Sequence, residues 1–198
     1  LIRGTPHVQA QLRKAEQAES TVVDTRPPCF GAAARDPDQP CVNPALRTQV
    51  VPSPVLAKTE EYAPCERFHR EGGLSQCDFG VPAEKASKTI ALVGDSHAGH
   101  WRMPLDHVAN QNGWHGVSIT RTSCPYSEAT MKLAEPTFSQ CKDWVAKLPD
   151  YFREHPEIDT IFVVGITGGA VNVPKGRTMF EAKVNGVRNA WRTLPDTV

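Results

Sequence analysis

The sequence lacks an excess of charge of either sign, because 22 Lys and Arg residues balance 22 Asp and Glu residues. Its isoelectric point is near 7.2. Without a basic surplus there is no general attraction to nucleic acid or to an anionic membrane surface, so we expect no nucleic-acid partner. The sequence also lacks a C-x-x-C motif and any Cys/His cluster with zinc-ligand spacing. We therefore predict no metal site, and no cofactor is expected.

Six cysteines are present, an even number that falls in sequential pairs: Cys29, Cys41, Cys65, Cys77, Cys124 and Cys141. Six cysteines allow fifteen pairings, so the sequence alone leaves the connectivity open. Closure between nearest neighbours predicts the disulfides 29–41, 65–77 and 124–141, each worth roughly 3 kcal/mol in the chain-entropy model. The alternative is six free thiols in a cytosolic protein. Because the first four cysteines lie in proline-rich, loop-like sequence, we favour disulfides and a location outside the cytosol.

The chain shows no signal peptide and no apolar run long enough to span a membrane, and it opens on Leu1 without an initiator Met. An oxidised domain must nevertheless have been exported. We therefore expect that the chain is an excised fragment. Its export or membrane segment would lie upstream.

Changes in composition and pattern along the chain predict three parts. Residues 1–25 are expected to form a linker or spacer helix, centred on the polar stretch 9–21. Residues 26–86 carry Pro, Asp, Asn and Cys at short intervals, which is typical of an irregular extension held by disulfides. Residues 87–198 are expected to form an α/β domain.

Strands and helices alternate in this last part. Apolar runs predict strands at 89–93 and 160–164, and a further strand is predicted at 114–120, after Asn112-Gly113. Apolar residues at helical spacing predict helices at 98–111, 139–152 and 180–194. This order predicts a parallel sheet with helices on both faces, a three-layer sandwich. Trp101, Trp114, Trp144 and Trp191 are expected to pack in the core. The chain stops just after a helix, so we expect the C-terminal part of the fold to be missing.

The most informative segment is Gly94-Asp95-Ser96-His97, which follows the first of these strands and precedes a helix. The carboxyl edge of a parallel sheet is where open α/β folds bind ligands. A serine there can act as a nucleophile, with the free N–H groups of the helix N-terminus stabilising an oxyanion. The alternative interpretation is that Asp95 or Ser96 only caps the helix.

This segment resembles block I of the SGNH hydrolase superfamily, in its GDSH form. Together with Cys29–Ala33, Cys41–Pro44 and Ser123–Pro125, it looks like the periplasmic SGNH domain that is fused to acyltransferase-3 membrane proteins. The resemblance covers about residues 22–198. It implies a flavodoxin-like sheet and an upstream membrane acyltransferase domain in the same polypeptide. It also implies extracytoplasmic, membrane-tethered acyl transfer, usually of acetyl, to an envelope glycan or lipid.

The resemblance also implies roles for single residues. Ser96 is the nucleophile and its backbone N–H an oxyanion donor, while Asp95 belongs to the block I turn and His97 packs or positions that turn. Ser123 stands where the family has its second oxyanion block. Gly168 and Asn172 are the candidates for the third, although no clean Gly-x-Asn occurs.

The family's Asp-x-x-His block is absent, since no histidine follows His155. The resemblance therefore implies that an Asp–His pair lies in the missing C-terminal part, and the fragment alone is expected to be weak or inactive. His97 and His100 are the alternative bases. Two other functions stay open: a glycan-positioning module without catalysis, and a free secreted carbohydrate esterase.

Overall fold

The computed structural model describes residues 5–31, 34, 36–51, 53–54, 68–71, 73–129 and 131–198. The chain divides into two compact units, Leu1–Glu61 and Tyr62–Val198. In the first unit, helix α1 spans Pro6–Thr25 and a short 3-10 turn spans Pro44–Leu46. The helix that the polar stretch predicts is therefore present and longer at both ends. A disulfide joins Cys29 to Cys41, as predicted.

The second unit contains a five-stranded sheet and three long helices. The strands and helices are, in chain order, β1 (Phe68–Glu71), β2 (Leu74–Gly80), β3 (Lys88–Gly94), α2 (Ser96–Asn112), β4 (Trp114–Thr120), α3 (Thr137–Glu154), β5 (Ile158–Val164) and α4 (Met179–Trp191). The strand order across the sheet is β1-β2-β4-β3-β5. None of the helices described in either unit is long and apolar enough to cross a membrane.

The sheet is mixed, which corrects the expectation of a fully parallel one. Strands β4, β3 and β5 are parallel, whereas β1 and β2 pair antiparallel and β2 runs antiparallel to β4. Residues 68–71 and 74–80 thus form strands within the stretch expected to be irregular. The sequence pattern that would predict β2 is weak, because the polar residue Gln76 occupies a buried position in this strand. Its side-chain oxygen accepts a hydrogen bond from Tyr151 Oη at 3.1 Å, so this buried polar atom has a partner.

Side chains alternate between the two faces of β3 and build two core clusters. Ile90 and Leu92 pack with Phe79 against α2, and Ala91 and Val93 pack against α3 and the end of α4. The predicted three layers are therefore present. Gly94 lies opposite both Thr120 and Val164, so the three parallel strands end at one edge of the sheet. The further C-terminal part of the fold stays a prediction.

Two further predicted features concern the disulfides and a proline. Cys124 and Cys141 are joined, as predicted. Cys77 is also in a disulfide, but its predicted partner Cys65 lies outside the described residues. Pro149 lies inside α3 without ending it, so the helix reaches Glu154 rather than stopping at 152.

Two of the four tryptophans are not core residues, which corrects the sequence interpretation. Trp101 is 54% exposed and Trp191 51% exposed, whereas Trp144 is buried. On α4, the buried side is made by the small residues Ala182, Gly186 and Ala190. A β-carbon at Gly186 would lie 2.4 Å from the backbone nitrogen of Ala129. Close packing against this loop therefore selects small residues, and the larger apolar ones turn outward.

His155 connects three segments of the second unit. Its Nε2 lies 3.2 Å from Glu71 of β1 and its Nδ1 lies 2.8 Å from Glu157. Its ring stacks on Tyr151 with centroids 4.2 Å apart. The side chain is 23% exposed, so solvent screens these contacts only in part. The contacts attach the short edge strand β1 to the α3–β5 connection.

Raising the pH is expected to weaken these contacts. Burial disfavours the charged ring, but the hydrogen bonds and negative charges of Glu157 and Glu71 together outweigh it, so the pKa of His155 is raised. The stabilisation is fully present below the unfolded pKa of about 6.5 and is lost as the pH rises through the higher folded value. We expect His155→Gln to lower the free energy of unfolding by up to about 1 kcal/mol near pH 5.5 and by less near pH 8.5.

Urea denaturation of both proteins at the two pH values measures this difference. Glu157→Gln should also reduce the pH dependence of the free energy of unfolding, since it removes a charge that favours the protonated His155 ring. An equal loss of stability at both pH values would show that His155 contributes only by packing on Tyr151.

Candidate active site

The turn between β3 and α2 depends on a glycine. Gly94 has a φ of 149°, a backbone conformation that residues with a side chain rarely adopt. A β-carbon there would lie 1.7 Å from the carbonyl oxygen of Val164. The chain can therefore pass β5 this closely only because position 94 has no side chain.

Asp95 is the N-cap of α2 and is 1% exposed. Its Oδ1 accepts a hydrogen bond from the backbone N–H of His97 at 2.8 Å and lies 3.1 Å from His97 Nδ1. Its Oδ2 accepts the backbone N–H of Ile166, in the loop after β5, at 2.7 Å. The capping interpretation of Asp95 is therefore correct, and the buried carboxyl group also joins two segments that are distant in sequence.

Ser96, the first residue of α2, is exposed at the carboxyl edge of the sheet. The N–H groups of the next two residues, His97 and Ala98, both donate to Asp95. Within the described part of the chain, neither the backbone N–H nor the hydroxyl of Ser96 has a hydrogen-bond partner. An exposed hydroxyl group and an unused N–H donor thus lie together at a helix N-terminus, where the helix dipole favours negative charge.

Ser123 lies in a turn beside this site. The backbone N–H of Arg121 donates to the carbonyl of Gly94 at 2.9 Å, and that of Cys124 donates back to Arg121 at 3.1 Å. Ser123, the third residue of this turn, has a φ of 61°. That conformation suits glycine best, and glycine is what the SGNH resemblance implies for the second oxyanion block. The structure therefore places the turn of Ser123 against the turn of Ser96.

The loop after β5 lies near the site only at its start. Gly165 packs closely on Pro125 and lies beside Asp95, and Ile166 bonds to Asp95. Gly168 is exposed, and a β-carbon there would meet nothing within 4 Å. By Val171 the chain pairs with Met131, so Asn172 lies along that neighbouring segment. The Ile166 N–H is a site contact that the sequence did not reveal, because a backbone donor has no residue-type signal.

Three of the histidines form two separate groups. The rings of His97 and His100 lie close together on α2, with centroids 5.7 Å apart. The Nδ1 atom of His97 faces Asp95 rather than the Ser96 hydroxyl. His155 lies at the end of α3, among Glu71 and Glu157. The pairing of His97 with Asp95 was not predicted, although the Asp-x-His spacing at a helix start was its signal.

Replacing Gly94 by alanine is expected to destabilise the fold by about 3 kcal/mol or more, because the new methyl group meets backbone that cannot move. Gly99→Ala is the matched control: Gly99 lies in the same helix, and a β-carbon there has nothing within 4 Å. We expect that variant to be neutral or more stable by up to about 1 kcal/mol, since alanine favours the helix. Thermal unfolding of the two variants measures both values, and similar stabilities would contradict the tight turn.

Comparison with known proteins identifies the family of the chain. No curated protein and no solved structure matches the chain. A family model described as "SGNH domain (fused to AT3 domains)" matches residues 64–193. The match spans β1 to α4 and includes the exposed serine at the β3–α2 turn. The chain therefore belongs to the family of SGNH domains that are fused to acyltransferase-3 domains.

Proposed function

We propose that this domain transfers an O-acyl group, in the first instance acetyl, through a covalent acyl-Ser96 intermediate. The observation that carries the proposal is the exposed Ser96 hydroxyl beside its own unused N–H at the start of α2. Family membership supports a hydrolase-like serine chemistry. The reaction class follows from the site, since an unbonded hydroxyl next to oxyanion donors suits attack on an ester carbonyl.

The reaction has two steps. Ser96 Oγ attacks the acyl carbon, a base takes its proton, and the carbonyl oxygen becomes an oxyanion held by the N–H groups of Ser96 and Ser123. The leaving group departs with a proton, and the acyl-serine forms. In the second step an acceptor hydroxyl attacks this ester, gives its proton to the base, and Ser96 is regenerated.

Three sources for the base are compatible with the site. His97 is fixed by Asp95, as the imidazole of a catalytic triad is fixed by its carboxylate. His100 lies one helical turn after Ser96. The third source is the Asp–His pair that the family resemblance implies, which is not found among the described residues. In each case the histidine would have to approach the hydroxyl when substrate binds, since catalytic hydrogen bonds often tighten only in the complex.

The partners and the location follow from the family and from the cysteines. An acyltransferase-3 membrane domain in the same polypeptide would deliver the acyl group, and an envelope glycan or lipid would accept it. The disulfides Cys29–Cys41 and Cys124–Cys141 support an oxidising location on the outer side of the membrane. The domain is then tethered to the membrane through its partner domain.

A second function is a binding module that positions the acceptor without reacting with it. The observation that favours it is the lack of a base on the Ser96 hydroxyl within the described residues. The two functions differ in one respect: only the first needs the Ser96 oxygen.

Replacing Ser96 by alanine is expected to lower acyl transfer at least about a thousandfold, because the covalent intermediate cannot form. The fold should keep its stability to within about 0.5 kcal/mol, since the side chain is exposed. The measurement is acetyl released by mild base from the purified envelope fractions of cells that carry the full-length gene product. Ser139→Ala is the matched control, because Ser139 also lies in the first turn of a helix and its hydroxyl bonds only to Glu135.

Undiminished transfer by the Ser96→Ala protein would leave the binding module as the function. Equal losses in the Ser96 and Ser139 variants would point to impaired folding or export, which circular dichroism and the amount of membrane-bound protein would reveal.

Ser123 is expected to act through its backbone rather than its hydroxyl. Ser123→Gly and Ser123→Ala should therefore both keep the transfer rate within about threefold, whereas loss of an oxyanion donor costs about a hundredfold or more. Ser123→Gly should also raise the free energy of unfolding by up to about 1 kcal/mol, because glycine adopts a φ of 61° more readily. A hundredfold loss of transfer in Ser123→Ala would instead assign the donor to the hydroxyl.

A further inference from the structure

The helix that begins at Ser96 carries an exposed tryptophan that the proposed reaction does not use. Trp101 is 54% exposed and the His97 side chain is 47% exposed. Ser96 and His100 are exposed as well. All four belong to the first turns of one helix, α2. An exposed indole leaves a large apolar area in water, and tryptophan is enriched at binding interfaces because its ring is apolar and its N–H is polar.

Helical spacing makes these four side chains one surface. Residues four positions apart on a helix are neighbours, with β-carbons roughly 5–6 Å apart. Ser96 and His100 form one such pair, and His97 and Trp101 form the pair beside it. The ring centroids of His97 and His100, which join the two pairs, are 5.7 Å apart. The indole therefore lies one turn from His97, on the same helix as Ser96.

The buried Asp95 fixes part of this surface. His97 Nδ1 lies 3.1 Å from Asp95 Oδ1, so the ring is held while its Nε2 has no partner in the described part of the chain. A fixed ring loses little freedom when a ligand binds, which is the advantage of preorganisation. The free nitrogen can donate to or accept from a hydroxyl group.

We propose that Trp101, His97 and His100 form a platform that binds the sugar ring of a glycan acceptor next to Ser96. The inference rests on the proposed function in one respect: the sugar bound here is the acceptor of the acyl group. A pyranose ring has an apolar C–H face and a rim of hydroxyl groups, so the indole covers the face while His97 Nε2 bonds to the rim. Of the two acceptor classes, glycan and lipid, this surface fits the glycan, because a pyranose presents a flat apolar face and several hydroxyl groups together, whereas most of a lipid is flexible acyl chain.

The test uses the chain labelled with nitrogen-15 and follows the four tryptophan indole N–H signals by NMR. The probes are methyl β-glucopyranoside, the open-chain polyol glucitol, and monomeric dihexanoyl phosphatidylcholine. Trp191 is the internal control, because it is 51% exposed but lies on α4, across the sheet from α2. Single Trp→Phe variants assign each signal.

We expect the glucoside to shift the Trp101 signal in a saturable way and to leave Trp191 unmoved, with glucitol giving a much smaller shift. Trp101→Ala should raise the dissociation constant for the glucoside at least about tenfold. Trp101→Phe should retain part of the binding, since a smaller aromatic face remains. These signals report binding without any acyl transfer, so failure of the catalytic proposal would not be mistaken for failure of this one.

Equal shifts of Trp101 and Trp191, or equal effects of glucoside and glucitol, would overturn the platform. A Trp101 shift with the phospholipid alone would assign the surface to a lipid acceptor and would also overturn it.

Discussion

The carboxyl group of Asp95 is buried under the turn that carries Ser96 and holds three parts of the site in place. One oxygen accepts the first free N–H of α2 and faces the His97 ring, and the other accepts the N–H of Ile166 after β5. Burying this group is costly unless such bonds are made, and each is worth about 1.5–3 kcal/mol when the acceptor is charged. The start of α2, the His97 ring and the loop after β5 are therefore fixed together.

The turn of Ser96 and the contacts of His155 have different roles. At the carboxyl edge of the sheet Gly94 allows the backbone to pass β5, so Ser96 emerges into solvent between the turns that follow β4 and β5. His155 instead connects the edge strand β1 to the end of α3 through Glu71. The turn of Ser96 leaves polar groups available, whereas the contacts of His155 satisfy them. This division matches the general rule that α/β sheets bind ligands where their parallel strands end.

The elements with strong periodicity could be predicted from sequence, and those set by distant contacts could not. Strand β4 could be predicted at its observed bounds, because Asn112-Gly113 ends the helix before it. Strand β2 was missed, because Gln76 is tolerated in the core only through Tyr151, far along the chain. On α4 the apolar residues correctly predicted a helix but not its buried side. Contact with the loop at Ala129 makes the side of Gly186 the buried one.

The sequence by itself determined the chemistry that is local: a glycine, a capping aspartate and a serine between a strand and a helix. These depend on conformations and distances that a few consecutive residues control. Only the tertiary structure decided that Ile166 bonds to Asp95, that the turn of Ser123 lies against Gly94, and that Trp101 is exposed on the helix of Ser96. Such contacts arise where the sheet brings separate strand ends together. No local pattern encodes them, because burial depends on what the rest of the chain places opposite each residue.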